Sequence, residues 1–230
     1  MKLEVIATCV QDALTAEDNG ADRIELITAI TEGGLTPGIG MVEQVVRAVN
    51  IPVHVMVRPH SRSFIYDRYD LDTMRAEIKA ISSIGAAGIV VGALKADRCI
   101  DVHSLEMLLE SAGGLNVTFH RAFDELEDQI SGLRLLRRYP QISRVLTSGG
   151  LKPAMEAVSE IRRLVEETDG SSLAILAGHG LTLQGIKLFI EQTRVTEVHF
   201  GSAVRCNRSG LEPIDPVQLR SLAGILHGMA

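Results

Sequence analysis

The chain has 230 residues, 46% apolar and 23% charged, with a formal net charge of −6. This is the balance of an ordinary globular protein and excludes collagen-like or low-complexity classes. The acidic charge, the lack of a Lys/Arg-rich run and the absence of Trp argue against a nucleic-acid partner.

MKLEVIATCV at the N-terminus reads as a short strand, LEVIA (3–7). It has no basic segment leading into a long apolar run, so no signal peptide is expected. No run reaches the ~18 apolar residues that suggest a membrane span. Further Val/Ile/Leu-rich strands are predicted at RIELI (23–27), VHVMV (53–57), GIVVGAL (88–94) and NVTFH (116–120). RVLTS (144–148), LAILA (173–177) and TEVHF (196–200) complete the set. Segments of helical period separate them, among them 72–85, 153–168 and 181–193. Gly20 and Gly85 are expected helix stops. Eight strands alternate with about eight helices, and no linker divides the chain. The expected fold is a single (β/α)8 barrel over 1–230, with a doubly wound open sheet as the alternative.

In such a barrel the site lies at the C-terminal ends of the strands. Buried parallel strands should be nearly continuous in apolar residues, yet these are broken with period two. Leu3 and Val5 flank Glu4, Ile24 and Leu26 flank Glu25, and Val198 and Phe200 flank His199. Val53, Val55 and Val57 alternate with His54, Met56 and Arg58. In VTFHRAFD, Thr118 and His120 share one face while Phe119 takes the other. Strand side chains alternate between faces, so Glu4, Glu25, His54, Arg58, His120 and His199 are expected to converge on one cavity. Burying charge is costly, and such clusters concentrate at functional sites.

Two Gly-rich turns add a candidate anion site, Gly178 and Gly180 after the seventh strand and Gly201 and Ser202 after the eighth. Thr147 and Ser148 could add hydroxyls. Cys9, Cys99 and Cys206 are too few and too widely spaced for a disulfide framework and suit the reducing cytoplasm. No CxxC or HExxH motif is present. Strands one and eight are neighbours in a closed barrel, so Cys9 and Cys206 could approach each other near His199 or His179. Those residues are the candidate metal ligands.

NGADRIEL (19–26), EGGLTP (32–37), IPVHVMVRP (51–59), VTFHRAFD (117–124) and RVLTSGG (144–150) together resemble the copper homeostasis protein CutC family over nearly the whole chain. The resemblance implies a (β/α)8 barrel, cytoplasmic copper handling and, for some members, Cu(I) binding. Some members carry cysteines where this chain has Ile6 and Ile27, and many read RPRGGDF where it has RPHSRSF (58–64). A copper site here would therefore need other ligands, first Cys9, Cys206 and nearby histidines. Glu25, Arg58, His120 and Asp124 also fall within the family's motifs, and as a set they resemble an enzyme site. Arg58 would clamp a carboxylate or phosphate. His120 would act as general acid–base, oriented by Asp124 or Glu25, in isomerase, aldolase or lyase chemistry. The partners expected are a copper ion or a small anionic, phosphorylated metabolite, with a homodimer left open.

Overall fold

A computed structural model describes residues 1–228. Its eight parallel strands close into a barrel in sequence order. They are β1 (Lys2–Ala7), β2 (Arg23–Leu26), β3 (Val53–Met56), β4 (Gly88–Val91), β5 (Asn116–Phe119), β6 (Ile142–Thr147), β7 (Ala174–Ala177) and β8 (Glu197–Phe200). The helices are α1 (Val10–Asp18), α2 (Ile39–Ala48), α3 (Arg68–Ile84), α4 (Val102–Ala112), α5 (Gln129–Leu136), α6 (Val158–Glu167), α7 (Ile186–Thr193) and α8 (Pro216–His227). The open-sheet alternative is excluded by the pairing of β1 with β8, Glu4 opposite His199. No described helix is long and apolar enough to cross a membrane.

Helix starts follow local chemistry. Asp67 and Asp70 form a reciprocal capping box on α3, and Asp101, Asp128 and Asp215 cap α4, α5 and α8. Gly85 ends α3 at φ +90°, a conformation open to Gly at little cost. Helix α7 starts at Ile186 rather than at the predicted 181, because the preceding turn folds Leu181 into the core.

The outward residues of the strands, such as Leu3, Val5, Ile24, Val55 and Val198, join the helices in one large core. The inward residues stack in layers drawn from alternate strands. The lowest holds Arg23, Gly88, Arg144 and Glu197, and the next Glu4, His54, Thr118 and Leu176. Above them lie Glu25, Val90, Leu146 and His199, and the mouth holds Ile6, Met56, His120 and Gly178. Gly88 has no room for a side chain, since an added Cβ would sit 2.8 Å from His54 Nε2.

Candidate functional site

The lower layers are an ion-pair network rather than a pocket. Arg23 donates through Nε to Glu4 and through Nη2 to Glu197 at 2.7 Å. Arg144 Nε lies 3.3 Å from Glu197, and Arg144 Nη1 reaches His54 Nδ1 at 3.3 Å. Burial first, then the neighbouring arginines, pushes His54 down to about 3, so it sits there neutral. Arg23, Arg144 and Glu197 were missed from sequence although they obey the same period two.

Above this base, Glu4 accepts from His199 Nδ1 at 2.8 Å, and His199 Nε2 lies 3.7 Å from Glu25 Oε2. Burial alone would depress the His199 pKa, but the Glu25 and Glu4 carboxylates outweigh it and the value is raised. Burial would likewise raise Glu4, yet Arg23 and His199 hold it well below the usual carboxylate range. Glu25 goes the other way. Burial dominates over the attraction of His199 and pushes it up to about 7, and its Oε1 has no partner.

This has a pH consequence. Folded Glu25 keeps its proton to about pH 7, while an ordinary Glu releases it near 4.5. Folding therefore takes up a proton in that window, and this residue's contribution falls as pH rises through it. Gln mimics the neutral carboxyl. Glu25→Gln is expected to match the native chain near pH 4 and exceed its stability near pH 8, by on the order of 3 kcal/mol. Urea unfolding from pH 4 to 8 reads this directly, and a difference independent of pH would refute it.

Glu25 and His199 line a cavity of about 550 Å³ at the barrel mouth, with Arg58, His120, Arg121 and His179. Glu4 and His54 lie beneath it, so the six predicted residues divide between a floor and a pocket. His120 sits just past β5 and caps the 3-10 turn Arg121–Glu125, its Nδ1 accepting from the Ala122 N–H at 3.1 Å. Its Nε2 is unpartnered. Burial first, then Arg58, lowers its pKa to about 3. Phe64 packs on the ring with centroids 4.8 Å apart, and the Arg58 guanidinium lies 4.6 Å from the Phe64 ring centroid.

Two expected roles change. Arg58 is not a free clamp: Nη1 donates to the carbonyls of Glu32 and Gly34, and Nη2 reaches that of Ser61. It ties down the loop after β2. Asp124 does not orient His120. It accepts from Thr147 Oγ1, from Ser148 N–H and Oγ, and from Arg121 Nε at 2.8 Å. It therefore locks the turn after β5 to the end of β6 and positions Arg121 at the cavity wall.

Of the predicted anion-site residues, Gly180, Gly201 and Ser202 line the cavity. Gly178 is spent otherwise: its N–H donates to Thr147 O at 2.9 Å, and an added Cβ would meet Leu146 at 2.7 Å. His179, between the two glycines, takes a left-handed φ of +66°. Such backbone is uncommon for a residue with a side chain and recurs at binding sites.

The cysteines do not gather at His199. The loops bearing Cys9 and Cys206 do meet, because buried Arg205 pairs with Asp12 at 2.7 Å and with Ile6 O at 3.0 Å. Cys9 Sγ, however, accepts from the Asp12 N–H at the start of α1. Among the described residues, the only cluster of three metal-ligating atoms is Glu4, Glu25 and His199. Two carboxylates and an imidazole suit harder cations, whereas Cu(I) favours thiolate and thioether donors. The Glu4, Glu25 and His199 set does not match the donor preference of Cu(I).

Fold and site together define a (β/α)8-barrel protein with a pocket lined by buried Glu, Arg and His side chains at the mouth of the barrel. The CutC family model matches residues 1–204, and the chain belongs to the CutC family. It is 34% identical to a Homo sapiens protein named as a copper homeostasis protein CutC homolog, covering 97% of this chain and 88% of that one. It is 39% identical to a CutC family protein of Proteus mirabilis, covering 86% and 78%. The crystal structure of a protein assigned as CutC from Streptococcus agalactiae superposes with a TM-score of 0.82 at 27% identity, covering 86% and 97%.

Proposed function

We propose that this CutC-family protein binds a small organic anion at the barrel mouth and carries out acid–base chemistry on it. One observation carries the reading: Glu25 Oε1 and His120 Nε2, on two walls of one cavity, are buried without a hydrogen-bond partner. Leaving such atoms unpaired costs about 1–3 kcal/mol each, and a bound ligand would satisfy them. Arg121 supplies the cationic contact, and Gly180, Gly201 and Ser202 supply close-approach backbone. Three free cysteines support a cytoplasmic setting.

Direct copper handling is the second reading. Its support is the name carried by the Homo sapiens relative and the meeting of the Cys9 and Cys206 loops through Arg205 and Asp12. The two readings separate in one set of titrations on the reduced protein. Ribose 5-phosphate is expected to bind saturably, about 10-fold more weakly to Arg121→Ala and equally well to Cys9→Ser/Cys206→Ser. An anaerobic Cu(I) competition titration is expected to give weak binding that the serine substitutions leave unchanged. Tight one-to-one Cu(I) binding lost in the double variant, with no sugar-phosphate binding, would reverse the assignment.

A further inference from the structure

The reaction class follows from which atom of His120 holds the proton. Nδ1 accepts a hydrogen bond from the Ala122 N–H, so it carries no hydrogen. In the neutral ring the proton must then sit on Nε2, the atom without a partner. The ring has little freedom to turn. Phe64 packs against it, and a Cβ on Gly92 would lie 2.6 Å from its Cε1 and Nδ1. His120 is thus a fixed, uncharged hydrogen-bond donor, suited to polarising a carbonyl and poorly suited to accepting a proton.

Glu25 is its counterpart. It is a carboxyl whose Oε2 faces His199 at 3.7 Å and whose Oε1 is free to accept or return a proton. No lysine or cysteine lines the cavity, so its own walls offer no amine or thiolate nucleophile. Ile6, Ile27, Met56, Leu146 and Phe200 supply apolar surface, which strengthens a donor–oxygen interaction.

We infer that the pocket takes a small α-hydroxy aldehyde or ketone bearing an anionic group, and moves a proton between its two adjacent carbons. This rests on the proposed binding of an organic anion at the barrel mouth. The Glu25 carboxylate removes the proton from the carbon next to the carbonyl. That C–H electron pair becomes the C=C bond of an enediolate, and the carbonyl π pair moves onto oxygen, whose negative charge accepts a hydrogen bond from His120 Nε2–H. A proton passes between the two oxygens, the deprotonated oxygen forms the new C=O, and the C=C pair takes the proton back from Glu25 at the neighbouring carbon. Atoms and electrons balance within the substrate, and no oxidant or reductant enters. A fixed neutral donor beside a carboxylate base is a pattern known to serve such enolisations.

The test is proton exchange followed by NMR in D₂O, with dihydroxyacetone phosphate and ribose 5-phosphate as probes and their binding measured in parallel. The native protein is expected to replace the α-hydrogen with deuterium well above the buffer rate. Glu25→Gln, whose amide oxygen can still accept, is expected to lose exchange by about 100-fold or more, a loss far larger than any change in its binding of the probes. Gly92→Ala, which displaces the His120 ring, is expected to slow exchange more than it weakens binding. Binding without exchange by the native protein would overturn this inference while leaving the anion pocket standing. Absence of binding by both probes would remove the pocket reading as well. Exchange undiminished in Glu25→Gln would overturn the assignment of the base.

Discussion

Glu4→Ala is expected to lower the stability of the fold by about 3–5 kcal/mol, the cost typical of breaking a buried ion pair from one side. Glu4 is fully buried in the barrel and is the acceptor shared by Arg23 Nε and His199 Nδ1. The strand register enforces this, because Glu4 is paired with Arg23 on one side and with His199 on the other. Removing the carboxylate leaves Arg23 with Glu197 alone and His199 with only the more distant Glu25. Folding then requires a buried cation with too little compensation. Urea denaturation at pH 7 measures the loss, and a change below about 1 kcal/mol would mean that water enters the barrel floor and the network is weakly coupled. Glu4→Gln should fall between, since its amide oxygen can still accept one of the two hydrogen bonds.

Asp124 is expected to separate two roles through two substitutions. In Asp124→Ala the Thr147 hydroxyl and the Ser148 N–H lose their acceptor in a buried turn, while the Ser148 hydroxyl still has Gly150 O. With about 1–3 kcal/mol per stranded donor and partial relaxation, a loss of at least about 3 kcal/mol should follow. Asp124→Asn can keep its carbonyl toward Thr147 Oγ1 and Ser148 N–H. Its new NH₂ can donate to Ser148 Oγ, which already donates to Gly150 O at 2.8 Å. What Asn cannot keep is the bond from Arg121 Nε, because an amide donor would then face a guanidinium donor, and Arg121 is left with Ser148 Oγ at 3.3 Å. The Asn variant should therefore lose no more than about 1.5 kcal/mol while binding ribose 5-phosphate more weakly. Equal stability losses in the two variants, with unchanged affinity, would contradict a positioning role for Asp124.

These two residues mark how far a linear reading goes. Glu4, Glu25, His54 and His199 were recognisable because each is a polar residue between two hydrophobes on a short strand, and period two sends them inward. Arg23, Arg144 and Glu197 have the same phase but lie at or near strand starts, where a charge also suits a solvent-facing end. Only barrel closure turns those starts into a buried floor.

Arg58 and Asp124 differ in kind. Their phase and motifs set them near the pocket, but which of their hydrogen bonds are already spent depends on distant chain. Arg58 is held by the carbonyls of residues 32 and 34, and Asp124 by residues 147 and 148. The cysteines show the same limit. Strand order brings two of their loops together, yet Cys9 Sγ is directed to the Asp12 N–H and no three-ligand cluster includes a thiol among the described residues.

The sequence by itself determined the eight-fold alternation, the barrel, the family and the inward face of five strands, because all of these rest on short-range periodicity and on motifs within one segment. The tertiary structure alone decided which inward groups neutralise each other and which stay unpaired. Hydrogen-bond partners across a barrel are set by strand register and loop closure, so residues nearly 200 positions apart, such as Glu4 and His199, decide each other's charge. Glu25 Oε1 and His120 Nε2 are among the buried atoms that this closure leaves without a partner, as is Arg58 Nε on the same cavity wall.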